Sequence, residues 1–352
     1  MKRIEDIDKN FKVETKLNLP DVKFYDAESE PFKIYGLIRE GDCFKRLPEE
    51  IASATNEGVQ VLNTHSAGGR LRFKTNSSYV AISAETIERH MSINMCLIGC
   101  CGFDMYVKTG DTEIYSDSFA PPADFGTHSE SVKHFGNNDL KEITINFPPY
   151  HSVKKLYIGI GEDAEVYPPE NYDIEKPFVY YGSSITQGGC ASRPGLSYEN
   201  IICRRFSADY LNLGFSGSAK GEEVLAEYIK NLDMSIFIYD YDHNAPNADH
   251  LENTHENFFK IIRNANPELP IVIMTAPIYE PDQHWKERKE VIRKTYDNAV
   301  ANGDKNVYFI DGKDLMAFAK NEGTVDNCHP NDLGFYSMAE KLGEVIEKIL
   351  EK

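Results

Sequence analysis

The chain has no long hydrophobic run: nothing in its 352 residues approaches the roughly 18 consecutive apolar residues of a membrane span. Its first ten residues, Met1 to Asn10, are charged and lack the apolar centre of a secretory signal. Positive charge is also scarce. With 38 Lys and Arg against 56 Asp and Glu, the formal net charge is -18. That balance repels a phosphate backbone or an anionic bilayer, so neither nucleic acid nor membrane is expected as a partner, and a neutral substrate fits best. The seven cysteines are odd in number, include the adjacent pair Cys100-Cys101 and show no CxxC spacing. They do not describe a disulfide framework or a zinc ribbon and point to a reduced, cytoplasmic setting.

Several catalytic signatures are missing too. There is no GxSxG elbow, no HExxH and no Walker loop. Gly159-Ile160-Gly161-Glu162-Asp163-Ala164 fits a dinucleotide fingerprint on paper, but Pro168-Pro169 follows where a helix is needed. His243, His250 and His255 are close in sequence without a metal-ligand spacing. The expectation is no cofactor and no metal.

What is present describes a soluble globular chain: 41% hydrophobic and 27% charged residues, and length enough for two domains. Residues 1 to about 170 read as β-rich. Gly69 to Thr75 and Tyr79 to Ala84 alternate, and Phe103 to Val107, Ile143 to Phe147 and Leu156 to Ile160 are further short strands between turn residues. That pattern predicts a β-sandwich or jelly roll. Tyr167-Pro168-Pro169-Glu170-Asn171-Tyr172 is a Pro-rich linker. Beyond it strands and helices alternate: five strands (178–181, 210–213, 235–239, 270–275 and 307–310) are separated by helices, and a last helix runs over 333–350. The predicted class is α/β, a parallel sheet covered by helices on both faces, with domains at 1–170 and 171–352.

In such sheets ligands bind beyond the carboxyl ends of the strands. Gly182-Ser183-Ser184-Ile185-Thr186 stands at one such end, and either serine there is placed for nucleophilic attack. Val325-Asp326-Asn327-Cys328-His329-Pro330, before the last helix, offers a base and an orienting acid three residues apart, with Pro330 at the first helical position. Between them, Asn212 to Gly217 and Asp240 to Asn244 follow the second and third strands. A close backbone N–H and an Asn amide are the groups an oxyanion needs. Cys190 and Cys328 neighbour these motifs. Arg193, soon after the serines, reaches either the pocket rim or the N-terminal half, and Trp285, the single tryptophan, either stacks on a sugar or packs on the surface.

These four blocks resemble those of the SGNH (GDSL-type) hydrolases. Ser183 stands where Asp is usual, Gly217 matches the glycine of the second block, Asn244 the asparagine of the third, and Asp326 with His329 the last. The third block departs from the family pattern, with Asp242 for its glycine and Ala245 for its final Asp. The resemblance covers about residues 175 to 350. It implies a three-layer α/β/α domain, Ser184 as nucleophile, His329 as base and Asp326 as its orienter. The implied oxyanion hole is built from the Ser184 N–H, the Gly217 N–H and the Asn244 side chain, without a metal. Upstream, Gly102-Phe103-Asp104-Met105-Tyr106 is similar to the Gly-x-Asp-Leu-Tyr signature of a β-sandwich domain that precedes some SGNH hydrolases.

Together these resemblances imply a serine esterase, similar to bacterial enzymes that remove acetyl groups from plant oligosaccharides. Acetylated manno- or xylo-oligosaccharides are the expected substrates, mannan ahead on resemblance alone, with Arg193, His243 and Trp285 as substrate-binding candidates. An acyltransferase using the same triad and a binding protein with a decayed catalytic domain are the rival readings. The sequence sets no oligomeric state.

Overall fold

The computed structural model describes residues 15–86, 92–122 and 126–352. The N-terminal half comprises β1 (Val22–Asp26), β2 (Lys33–Tyr35), β3 (Ile38–Glu40), β4 (Cys43–Lys45), α1 (Glu49–Thr55), α2 (Glu57–Leu62), β5 (Arg70–Thr75), β6 (Tyr79–Thr86), α3 (Leu97–Cys101), β7 (Phe103–Thr109), β8 (Thr112–Phe119), β9 (His128–His134), β10 (Lys141–Asn146), β11 (Val153–Gly161) and β12 (Val166–Tyr167). Two large antiparallel sheets result, ordered β1-β11-β6-β9 and β12-β5-β10-β7-β8, with β2 added on β5, and β3 pairs with β4 as a separate two-stranded sheet. The period-2 pattern explains why the two large sheets face each other. Leu71 and Phe73 of β5 lie opposite Ile145 and Ile143 of β10, and they meet Val80, Ile82, Ile158 and Ile160 of the other sheet in one buried cluster. This half is a β-sandwich.

The C-terminal half comprises β13 (Ile174–Gly182), α4 (Tyr198–Phe206), β14 (Ala208–Gly214), α5 (Glu223–Ile229), β15 (Ile236–Asp240), α6 (Ala248–Ala265), β16 (Ile271–Met274), α7 (Gln283–Ala301), β17 (Val307–Ile310), α8 (Gly312–Leu315) and α9 (Asp332–Leu350). The five strands form a parallel sheet in the order β14-β13-β15-β16-β17. Val179, Tyr181, Leu213 and Tyr239 pack on one face under α5 and α6. Phe178, Tyr180, Tyr210 and Ile238 pack on the other under α4 and α9. Burial on both faces explains the continuous apolar runs of the strands, and the class is three-layer α/β/α. No described helix is long and apolar enough to cross a membrane.

Two features of this half place the site. The strand order reverses at β13, so a crevice opens at its carboxyl end between the loops that leave β14 and β15. The register aligns Gly182 with both Gly214 and Asp240, so those loops start at one level. Only glycine fits at 182, because a β-carbon there would collide with the Thr186 side chain and the Asp240 carbonyl.

The halves are not separate in their packing. Ala52 of α1, Val59 of α2 and nearby Leu47 are buried in the same cluster as Phe215, Leu225 and Ala226. One boundary differs from expectation: Pro330 is not the first helical residue. Asn331 caps α9 instead, its side chain accepting the Gly334 N–H at 3.0 Å.

Candidate active site

Ser184 lies in the turn that follows β13. The turn is held by Gln187 N–H to Ser183 O (3.0 Å) and Gly189 N–H to Ser184 O (2.8 Å), and from the sandwich side by the Tyr150 hydroxyl, which donates to Ser184 O at 3.1 Å. The two serines separate clearly. Ser183 is turned inward at 1% exposure, and its oxygen accepts the Ile185 N–H at 3.2 Å. Ser184 Oγ lies 2.9 Å from His329 Nε2.

His329 is delivered by a tight loop closed by Val325 N–H to His329 O at 2.9 Å. Within it Asp326 Oδ1 accepts the backbone N–H groups of Cys328 (3.1 Å) and His329 (2.8 Å), a turn that Asp side chains favour. Asp326 Oδ2 lies 2.8 Å from His329 Nδ1. Nδ1–H donating to the carboxylate leaves the Nε2 lone pair facing the serine hydroxyl, the tautomer a general base requires. Asp326 Oδ2 also accepts the Asn94 side-chain amide at 2.8 Å, from the N-terminal half.

Burial works to raise the Asp326 carboxyl, but the hydrogen bonds from His329 and Asn94 outweigh it and hold the group well below the usual range. A bond with Cys328, followed by Asp326, holds the His329 ring up at about 9 against the opposing effect of burial. Cys190 adopts a left-handed backbone (φ 74°), and burial, then Asp326, pushes its thiol up to about 12. The Cys190, Asp326 and His329 ligand atoms lie within 4.8 Å of one another, but two of the three are already bonded to each other.

The expected oxyanion donors are not equally available. Gly217, exposed and at φ 65°, donates its N–H to Asn244 Oδ1 at 3.0 Å. The Asn244 amide in turn donates to Phe215 O (2.8 Å) and Ala219 O (2.9 Å). These two groups satisfy each other and their loop; no described partner takes the Ser184 N–H. Asp242, in place of the family glycine, forms a buried pair with Arg288, Nε to Oδ1 at 2.8 Å. Its Oδ2 accepts the Ala276 N–H at 2.9 Å. The turn carrying His243 and Asn244 is thereby fixed to α7.

The other candidates also find places. Arg193 faces the sandwich. Its Nη1 donates to Asp104 Oδ2 at 2.8 Å and to the Tyr106 hydroxyl, and its guanidinium lies 3.9 Å from the Tyr115 ring. The same Asp104 oxygen accepts the Gly195 N–H at 2.9 Å, so Asp104 and Tyr106 of the five-residue sandwich motif grip the loop behind Ser184. His243 sits beside the triad, Nδ1 3.6 Å from Cys328 Sγ, and burial, then Arg288 and His329, pushes its ring down to about 3. Trp285 packs 4.7 Å from the His243 ring and 4.8 Å from the Arg288 guanidinium.

Asn94, Tyr150 and Arg288 were not visible as site residues in the sequence. Each is a lone polar or aromatic residue whose partner is 34 to 232 positions away. A cleft of about 540 Å³ lined by Glu256, Arg263, Pro267 and Asn306 lies at the opposite, amino end of the sheet and has no part in this chemistry. The triad itself opens to solvent: the His329 and Asp326 side chains are 21% and 33% exposed.

Both halves of the chain have counterparts among known proteins. Residues 175–347 match the GDSL-like lipase/acylhydrolase family, and residues 22–166 match the N-terminus of SGNH hydrolase-type esterases. A Bacteroides ovatus protein assigned as a GDSL-like lipase is 30% identical, with a TM-score of 0.85 over 94% of this chain and 98% of that one. A salicylyl-acyltransferase from a tetracycline biosynthetic pathway shares the fold at 18% identity and a TM-score of 0.74, covering 94% of this chain and 98% of that one. An acetyl xylan esterase from the rumen bacterium Butyrivibrio proteoclasticus shares it at 13% identity and 0.61, covering 94% and 99%. No curated protein matches significantly. The chain belongs to the GDSL-like lipase/acylhydrolase family, and it is a carboxylic ester hydrolase.

Proposed function

We propose that the protein is a serine esterase that removes O-acetyl groups from plant-derived oligosaccharides. Ser184 is the nucleophile, His329 the general base and Asp326 the group that orients it. The observation that carries this reading is the unbroken line from Ser184 Oγ through His329 (2.9 Å) to Asp326 (2.8 Å).

His329 Nε2 takes the Ser184 proton as Oγ attacks the acetyl carbonyl carbon. The bond to the sugar oxygen then breaks, and His329 returns the proton to that oxygen, leaving acetyl-Ser184. Water attacks next, giving its proton to His329, and acetate leaves with Ser184 restored. The oxyanion is met first by the Ser184 N–H. The Gly217 N–H joins it by leaving Asn244 Oδ1, and the Asn244 amide by giving up one of its bonds to Phe215 O or Ala219 O, a tightening common to sites without substrate.

The open triad supports a bulky alcohol moiety such as a sugar, and the fold shared with an acetyl xylan esterase supports an acetylated glycan. Acetylated manno- and xylo-oligosaccharides are the first choices, with His243 and Trp285 beside the triad as candidate contacts. The reading keeps a division near residues 170 and 171 and a reducing, cytoplasmic setting, in line with an odd set of seven cysteines that shows no CxxC spacing. Acyl transfer to an alcohol uses the same triad; solvent access to His329 favours water as acceptor. Mass spectrometry of both glycan classes after incubation tests the proposal, with added alcohols to capture transfer products. Acetyl loss from either class, abolished in Ser184→Ala, is expected; intact acetyl groups on both would overturn it.

A further inference from the structure

Asn94 precedes α3 in the N-terminal half, yet its amide reaches the acid of the triad: Nδ2 donates to Asp326 Oδ2 at 2.8 Å. Ser92 settles which end of the amide faces the carboxylate, because its hydroxyl donates to Asn94 Oδ1 at 2.7 Å. The segment that follows is anchored on both sides. Cys96 Sγ donates to Ser192 O at 3.0 Å, and Cys100 O at the far end of α3 accepts the Tyr150 N–H at 3.2 Å.

Asp326 needs such support. With a third of its side chain exposed, packing alone does not hold its rotamer. Oδ1 is occupied by two backbone N–H groups, which leaves Oδ2 to be shared between His329 Nδ1 and Asn94 Nδ2. A second donor on that oxygen fixes the carboxylate plane and draws charge away from the imidazole.

We propose that Asn94 is a positioning residue of the active site, supplied by the N-terminal half, which locks the Asp326 carboxylate on His329 and moderates the basicity of that histidine. The proposal rests on the Ser184–His329–Asp326 reading above. It gives the sandwich a direct part in turnover that a mere covering layer would lack.

The test is a pH series of kcat and KM on an acetyl ester with Asn94→Ala and Asn94→Asp, the latter of equal size so that packing is kept. The groups facing His329 are Asp326 and Cys328 on its own loop, Cys190 after the nucleophile turn and His243 after β15; Asn94 acts on the first of them. Losing the amide leaves Asp326 a stronger acceptor, so the charged imidazole gains and the acidic inflexion of kcat/KM moves to higher pH. Asn94→Ala is expected to lower kcat roughly 5- to 50-fold with KM within about twofold, the scale of one hydrogen bond to a charged group. Asn94→Asp brings a second carboxylate to Asp326 and is expected to lose more and to shift the inflexion further. A purely structural role would lower thermal stability or raise KM without moving the inflexion. Wild-type kcat and an unmoved inflexion in both variants would overturn the proposal. Ser184→Ala, run alongside, separates the two ideas: if it keeps its activity, the triad itself is misassigned, whatever Asn94 does.

Discussion

The Tyr150 hydroxyl donates to the main-chain oxygen of Ser184 across 3.1 Å. Tyr150 is 3% exposed, so the bond lies away from water and ties the Ser184 turn to the sandwich half. Tyr150→Phe keeps the ring and removes the donor, while Gly189 N–H still serves the carbonyl. A stability loss of about 1 kcal/mol by urea unfolding is expected, with a few-fold drop in kcat. No change in either would mean the turn is held by its own backbone alone.

The two adjacent serines should respond very differently. Ser184→Ala removes the atom facing His329 and is expected to lower kcat by roughly 10⁴-fold or more. Ser183→Ala removes an inward hydroxyl that accepts one backbone N–H and should cost only a few-fold in rate. A fluorophosphonate probe should label the wild type and Ser183→Ala but not Ser184→Ala. Equal losses in the two variants would contradict the assignment.

The pH dependence follows from His329. In the proposed cycle its ring must be neutral to take the serine proton, and Cys328 with Asp326 holds it up at about 9 rather than at the ordinary 6.5. The rate kcat/KM is therefore expected to climb with pH to a plateau beyond about 9. Cys328→Ala removes the first of these influences and should move the inflexion to lower pH. Stability runs the other way. The raised histidine contributes fully below 6.5 and loses that contribution as pH rises through about 9. Asp326, held low, contributes above the ordinary carboxylate range and fades only as pH falls through its depressed value. A thermal-shift series from pH 5 to 10 compared with Asp326→Asn/His329→Gln checks the sign.

Arg193 should behave as a clasp between the halves. Asp104 is fully buried and accepts from Arg193, Gly195 and Asn146. Asp104→Ala leaves the Gly195 N–H and a guanidinium without their acceptor and is expected to cost about 3–5 kcal/mol. Arg193→Ala should lower the unfolding midpoint while leaving KM for a glycan ester within about twofold, since one hydrogen-bonded side chain is lost outside the reacting line. A large rise in KM with unchanged stability would restore Arg193 to the substrate.

How much of this was readable in advance depended on where the partners of each residue lie. The parallel sheet was legible because its strands are buried on both faces: β17 falls on 307–310 as expected, and β15 and β16 are displaced by a residue at their ends. In the sandwich, β8 and β9 were not visible because they are outer strands of mixed exposure without clean alternation. Ser184, Asp326 and His329 each stand out in a short local block of the sequence, and the structure brings their side chains together. Asn94 carries no pattern at all, and its meaning comes from a contact 232 positions away. Gly217 and Asn244 lie against each other, but their bond depends on the side-chain direction of Asn244, which no spacing reveals.

The burial of Leu47, Ala52 and Val59 among Phe215, Leu225 and Ala226 bears on the order in which the chain is made. These early residues leave the ribosome about 160 positions before the surface that covers them. The N-terminal half therefore cannot complete its packing on its own. It waits, with part of its apolar surface uncovered, for β14 and α5 to emerge. Synthesis of the hydrolase domain is thus also the last step in folding the domain that precedes it.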